Sequence, residues 1–522
     1  KDISREPFVA RTLKKYYGQA LEWALRHRTG VLGGTIALFV AAMITFFTLG
    51  RSFLPPFNEG SFTINVSTLP GISLEESDNI GRRAEELLLE VPEIQTVARK
   101  TGRAELDEHA LGVNTSEIEA PFVLGDRSHA EVVADVRKKL SVIPGVNIEI
   151  GQPISHRIDA MLSGTQARIA IKLFGDDLNR MFMLGNQIKK NISAIDGVVD
   201  LNVEQQIERP QLKITPRREM LARYGVSLSE FAEFIDVALA GEVVSQVYEG
   251  SRTFDLTVKV KDDERSSAAK IGDLMVDTQD GKVPLSYLAE IKSATGPNTI
   301  NRENVKRKIV ISANVSDRDL RSVVDDIRER IDETVVLPEG YFIEYGGQFE
   351  SEAAASRTLS FVSLFSLLVV FLLLYNQFRS VSQSAVILLN LPLALIGGVF
   401  ILRFTTGEIS IPAIIGFISL FGIATRNGML LVSHYNTMLS EGNSLHDTIL
   451  RGSLDRLNPI LMTALTSALA LIPLALGGDL PGNEIQSPMA KVILGGLITS
   501  TFLNAFVVPV VYWIMNRKKE NR

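Results

Sequence analysis

The chain has 522 residues, of which 46% are hydrophobic and 22% charged, with a net charge of −6 and no cysteine. That length exceeds one ordinary domain, and the missing thiols exclude disulfides, zinc fingers and thiolate metal sites. The charge is segregated: residues 51–357 carry 37 Lys and Arg against 50 Asp and Glu, while the remainder carries 17 against 10. An acidic middle beside basic flanks argues against nucleic acid as a partner and for cations as the attracted species.

The chain opens on Lys rather than Met, and no signal peptide precedes the first apolar stretch, so its true start is expected upstream. Residues 1–28 interleave seven Lys and Arg with Val, Leu, Tyr and Trp, the pattern of an amphipathic helix on a membrane surface. Residues 29–50 are free of charge and long enough to span. After a long polar stretch the apolar segments resume at 358–378, 380–402, 409–438, 457–478 and 492–516, giving six expected spans, one before and five after a large insert. With residues 1–28 placed in the cytoplasm, the short cytoplasmic segments hold 14 Lys and Arg and the opposite loops only Arg403 and Lys491. This asymmetry predicts both termini inside, the tail 517–522 included, and residues 51–357 outside, in the periplasm of a Gram-negative cell.

The insert reads as alternating strands and helices. FTINVST, then a helix over 73–91 with Ser73 and Glu76 in capping-box positions, then IQTVARK, EAPFVL, AEVVADVRKKLSVI and VNIEIGQ follow in order. This βαββαβ order is that of the ferredoxin-like fold. It restarts at ARIAIKLFG, and 124–152 matches 315–348 in a shared D-R, a V-V-x-D-[VI]-R helix and a closing I-E-x-G-Q-like strand. A unit used twice is the reading, with residues 216–296 inserted in the second copy. The expected fold class is therefore a six-span helical membrane bundle with a large α+β insert of ferredoxin-like repeats.

Within 411–438 lies Arg426. An arginine at the centre of a spanning helix costs about 2.5–3.5 kcal/mol on insertion scales and seeks a partner inside protein. None of the other spans contains Asp or Glu, so its counter-ion is expected from outside this chain. Snorkelling, or pairing with backbone carbonyls, is the alternative. The pairs Gly397–Gly398 and Gly495–Gly496 fit close helix approach. No G-x-x-x-x-G-K-[ST], H-E-x-x-H or G-x-S-x-G occurs, which leaves ATP drive, metalloprotease and hydrolase readings without support.

The stretches FLPPFNEGSFTINVSTLPGISLEES, QPISHRIDAMLSG, KITPRREMLARYGVSLSEF, GGQFES and GFISLFGIATRNGMLLVSHYN together resemble the C-terminal half of a resistance–nodulation–division (RND) transporter of the heavy-metal-efflux branch. The resemblance implies a first pore subdomain at 51–156 and a second split over 157–215 and 297–357. It also implies a docking subdomain at 216–296 and transmembrane helices at 29–50 and 358–516. It further implies proton drive with no bound cofactor, a homotrimer in the inner membrane, a periplasmic adaptor and an outer-membrane channel. Carboxylates of the protein's own N-terminal half would then face Arg426, as a proton-coupling element.

By the same resemblance, the three methionines of copper- and silver-exporting members fall on Glu117, Ala160 and Val243, so a thioether site for a soft monovalent ion is not expected. Oxygen and imidazole donors stand nearby instead: Glu105, Asp107, His109, Glu117, Glu119, His156 and Asp159. That donor set suits zinc, cobalt, nickel or cadmium as cargo. A solvated acidic loop is the plainer reading of the same residues. An exporter of hydrophobic compounds, and a non-transporting membrane assembly protein, are the rival functions. His129 is expected in solvent, and His27 and His434 near membrane edges.

Overall fold

The computed structural model describes residues 8–55, 57–102, 112–163, 167–206, 208–297, 299–478, 480 and 482–520. Among them, six helices are long and apolar enough to cross a membrane. They are α2 (Arg28–Thr48), α12 (Gln348–Phe378), the pair α13 (Val381–Leu388) and α14 (Asn390–Thr405), α15 (Ile411–Ser440), α16 (Leu445–Leu476) and α17 (Gln486–Glu520). The third of these spans is broken at Leu389, just before Pro392, which removes an amide donor from the first turn of α14. Helix α1 (Phe8–Arg26) precedes them and packs on α16 and α17.

Helices α14, α15 and α17 form the interior of the bundle, whereas α2, α12 and α16 show largely exposed apolar faces. Glycine lets the inner helices touch backbone to backbone. A methyl group on Gly397 of α14 would lie 2.0 Å from the Gly495 carbonyl oxygen of α17, and one on Gly495 would lie 2.5 Å from the Gly397 oxygen. Gly398 and Gly496 receive Phe417 and Leu420 of α15 in the same way.

Several helices begin earlier than their apolar runs. Helix α12 starts at Gln348 rather than 358, and α16 at Leu445 rather than 457. The polar lead of α12 is stabilised by the soluble part: Arg321 donates to the buried Glu352 at 2.6 Å, and Ser356 donates to the same carboxylate at 2.7 Å. Hydropathy registers only the stretch that suits hydrocarbon, and the helix continues for as long as its polar groups are satisfied. At the other end of the first span, β1 (Gly50–Arg51) pairs in parallel with β17 (Glu408–Ile409).

The two largest sheets between the first and second spans share one strand order. In the first, β2 (Ser61–Ser67), α3 (Leu74–Leu89), β3 (Ala98–Thr101), β4 (Thr115–Pro121), α4 (His129–Leu140) and β5 (Asn147–Gly151) follow in sequence, and the sheet runs β3-β4-β2-β5. After α5 (Pro153–Ser163) the second begins with β6 (Ile169–Phe174), α6 (Leu178–Ile192) and β7 (Val198–Val203). It is completed by β15 (Lys306–Val315), α11 (Leu320–Thr334) and β16 (Phe342–Gly347), with β15 between β6 and β7 and the short β14 (Arg302–Glu303) also against β15. Every pairing in both sheets is antiparallel. The repeated sequence unit thus corresponds to α4–β5 in one sheet and α11–β16 in the other.

Period-two alternation sorts the residues of the first sheet. Phe62, Ile64, Val66, Ile118, Ala120 and Ile150 face the two helices and form the core. Thr63, Asn65, Glu117, Glu119 and Glu149 occupy the opposite face, with Asn65 flanked in register by Glu117 and Glu149.

A second compact unit comprises Leu69–Ser73 and Gln205–Asn301. In it β8 (Glu208–Pro216) pairs with β13 (Ala289–Pro297) along nine residues. Helices α7 (Arg218–Arg223), α8 (Leu228–Ile235), α9 (Ala268–Gly272) and α10 (Leu285–Leu288), with the hairpin β11 (Met275–Thr278) and β12 (Gly281–Pro284), complete the unit around Leu221, Phe231, Ile271 and Leu285. Its other hairpin, β9 (Glu242–Glu249) and β10 (Arg252–Val258), is exposed at every residue.

Candidate functional site

Helix α5 packs against β2 and β16 and carries His156. The imidazole sits on the α-carbon of Gly151, where a methyl group would lie 2.0 Å from Nε2. His156 is 4% exposed, and neither ring nitrogen has a hydrogen-bond partner among the described residues. Burial pushes its pKa down to about 4, against the opposing fields of Glu117 and Asp200. The ring is therefore neutral near pH 7 with a lone pair available, the state in which histidine binds a metal.

The expected donors separate into three groups. Glu117 and Glu119 lie on the same face of β4, as period two requires. Glu117 is ion-paired with Lys100 across the ladder, a lysine whose own side chain is 72% exposed. Glu119 accepts from Thr63 Oγ1 at 3.1 Å and from Ser61 Oγ at 3.5 Å. His156 shares an electrostatic neighbourhood with Glu117. Glu105, Asp107 and His109 lie outside the described residues, and so does the side chain of Asp159 on α5. Among the described residues, no three His, Asp or Glu side chains come together in a way that would hold a metal ion. Met161, one position from the methionine alignment, is 84% exposed.

Sequence reasoning missed a polar seam where the two sheets meet along β5 and β7. Glu149 of β5 accepts from Ser312 Oγ of β15 at 3.3 Å, and burial raises its pKa above the usual carboxylate range. Asp200 of β7 is 4% exposed at its side chain and receives Arg137 of α4 through Nε at 2.9 Å and Nη2 at 3.0 Å. Asn314 Nδ2 donates to it at 3.2 Å. The alternation of Asn147–Gly151 does place Glu149 opposite Ile148 and Ile150, a signal available in the sequence.

His129 differs from expectation. It is half-buried at the start of α4, with Phe62 and Phe122 ring centroids at 5.6 Å, and burial lowers its pKa. His27 stacks on Trp23 at 4.8 Å, and His434 stands 3.4 Å from Asp455.

In the membrane bundle, Arg426 is exposed on α15 and makes no ion pair with any described residue. The residues sharing its face, Ser419, Gly422, Ser433 and Thr437, are exposed too. Small and hydroxylated side chains around a charge make a poor lipid-facing surface and a good helix–helix one.

The AcrB/AcrD/AcrF family model matches residues 4–516. Protein HelA of Legionella pneumophila is 33% identical over 529 residues, covering 99% of this chain and 50% of the relative. The cobalt-zinc-cadmium resistance protein CzcA of Cupriavidus metallidurans is 34% identical over 521 residues, covering 97% and 49%. A crystal structure of a heavy metal efflux pump superposes with a TM-score of 0.82 at 28% identity, covering 98% of this chain and 53% of that one. The chain spans about half the length of the curated relatives it matches.

Proposed function

The chain belongs to the AcrB/AcrD/AcrF family of RND transporters, and from that premise we propose that it is the C-terminal half of a proton-driven exporter of divalent metal cations. The observation that carries the cargo class is His156: a buried, neutral imidazole in the field of Glu117, with no hydrogen-bond partner among the described residues. Nitrogen and carboxylate oxygen are the donors that zinc, cobalt, nickel and cadmium accept. The similarity to a protein named for cobalt, zinc and cadmium resistance supports the same class. Glu117 is released for a cation when Lys100, the exposed partner of the pair, swings into solvent.

The two sheets, read as ferredoxin-like repeats, act as pore subdomains, and the Gln205–Asn301 unit acts as the docking subdomain. The protein works as a homotrimer in the inner membrane with its soluble part periplasmic, joined to an adaptor and an outer-membrane channel. Arg426 faces carboxylates of the N-terminal half, where a fixed positive charge favours their ionised form and responds to their protonation.

The test is metal resistance in an efflux-deficient Gram-negative strain carrying the complete gene. Wild type is expected to protect against zinc, cobalt or cadmium. His156→Ala and Glu117→Ala are expected to remove that protection, and Arg426→Ala to abolish proton-coupled efflux from vesicles. Protection against dyes or detergents alone would move the protein to the export of hydrophobic compounds. Metal protection that survives both soluble-domain substitutions would discard the site.

A further inference from the structure

His156 is buried in the first turn of α5, and that turn is held from outside the helix. Both ring nitrogens are enclosed, so a cation reaches them only when α5 moves. Helix α5 opens on Pro153, which has no amide hydrogen, so Ile154 and Ser155 present its first free donors. Both go to Glu59, in the loop before β2. Ile154 N donates to Oε2 at 2.5 Å, and Ser155 N donates to Oε1 at 3.0 Å. The Ser155 hydroxyl adds a third bond to Oε1 at 3.3 Å. A carboxylate at this place also complements the positive end of the helix.

Gln152, the residue before α5, binds the same loop through its side chain. Its Oε1 accepts from the Glu59 amide at 2.6 Å, and its Nε2 donates to the Phe57 carbonyl at 2.6 Å. The loop is in turn fastened to the membrane bundle. Glu484, 5% exposed in the loop that leads into α17, accepts from the Asn58 amide at 3.3 Å and from the Gly482 amide at 2.8 Å. Asn58 and Glu59 are consecutive, so one short loop carries both attachments, to the approach of α17 and to the first turn of α5.

We propose that the Glu59 carboxylate is the latch that keeps α5 in the form burying His156, and that Glu484 ties this latch to the start of α17. A shift of α17 withdraws Asn58 and Glu59 together, frees the first turn of α5 and opens His156 to the cation. Glu59 acts through α5 and is a positioning residue. The inference rests on the reading of His156 as a cargo ligand.

The experiment measures access to His156 in the full-length transporter in detergent. Diethyl pyrocarbonate, which acylates neutral imidazole, is followed by mass spectrometry at the His156 peptide, with and without zinc. Loss of the cap corresponds to about tenfold in the open population, so Glu59→Ala is expected to label about ten times faster than wild type. The zinc concentration that halves labelling is expected to fall by the same factor, because apparent affinity scales with the competent fraction. A merely structural role would not link the two factors. Glu484→Ala is expected to label about threefold faster, and the double variant no faster than Glu59→Ala, since both act on one strut. Hydrogen exchange of the β2 and β4 amides is expected to stay at the wild-type rate in all three. Should Glu59→Ala fail to fold, Glu59→Gln, which keeps one accepting oxygen, is read instead, with faster labelling and tighter zinc in the same proportion. Wild-type labelling by the folded Glu59 variant, faster exchange throughout β2 and β4, or factors that multiply in the double variant overturn the proposal. Zinc that protects His156 in no variant, with labelling otherwise as expected, discards the cargo ligand and leaves the latch standing.

Discussion

Replacing Arg137 by methionine keeps most of the aliphatic stem and removes the guanidinium that bridges the two sheets. Asp200 then stays behind, 4% exposed at its side chain, with Asn314 at 3.2 Å as its remaining donor. Breaking a fully buried pair by removing one partner costs about 3–5 kcal/mol. Arg137 is 31% exposed, and Asn314 continues to donate, so the lower end applies, about 3 kcal/mol. At 1.4 kcal/mol per factor of ten, the population in which the seam is open rises about a hundredfold. Limited proteolysis of the purified transporter, run where opening and closing outpace cleavage, reads that population as a rate. Cleavage around residues 141–152 and 193–200 is expected to accelerate on that order. The double variant Arg137→Met/Asp200→Leu is expected to recover much of the loss, since no charge is then stranded. A single variant that cleaves at the wild-type rate, or a double variant as labile as the single, would refute the reasoning.

Acid provides a second handle. His156 has a folded pKa of about 4, below its unfolded value near 6.5, so its contribution is complete above 6.5 and is lost as pH falls from there towards 4. The loss amounts to about 3 kcal/mol, and thermal scans should show His156→Phe with a visibly shallower decline over that window. Glu149 has the opposite sign: its raised pKa favours acid, and stability is lost as pH rises through the folded value. Glu149→Gln is therefore expected to raise the melting temperature at pH 8 relative to wild type and to leave it nearly unchanged at pH 4. In the bundle, Gly397→Ala has no room for its methyl group against the Gly495 carbonyl. Overpacking of this kind costs about 1–3 kcal/mol, and detergent-solubilised variant protein should melt several degrees lower. Gly30→Ala, with nothing within 4 Å of the added carbon, serves as the control.

What could be read from residues alone followed locality. Apolar runs identified the six spans, because the bilayer is a solvent whose thickness a single segment must match. Paired glycines in the third and last spans marked positions of close helix approach, which the structure realises between α14 and α17, and strand alternation placed Glu117 and Glu119 on one face. The polar seam was harder. Arg137, Glu149, Asp200 and Ser312 come from four elements and meet only because the edges of two sheets approach, which no local pattern encodes. Helix starts were misjudged for a related reason: Glu352 is tolerated inside α12 through Arg321, a partner on α11. His156 was named as a donor from its side-chain type. Its burial depends on the bare α-carbon of Gly151, a tertiary fact.

The two-residue pairing of Gly50–Arg51 with Glu408–Ile409 bears on how the protein is made. Asp319, which caps α11, also accepts the Arg51 amide at 3.3 Å, so three distant stretches are fastened at one point. During synthesis Gly50 leaves the ribosome long before Asp319, and Asp319 well before Glu408. The first span must therefore wait in the bilayer, unclasped, while the soluble sheets fold and the next spans are inserted. The clasp closes only when the loop before α15 arrives, which makes it a late checkpoint of assembly. A chain interrupted before that loop carries its sheets without the fastening that ties them to the first span.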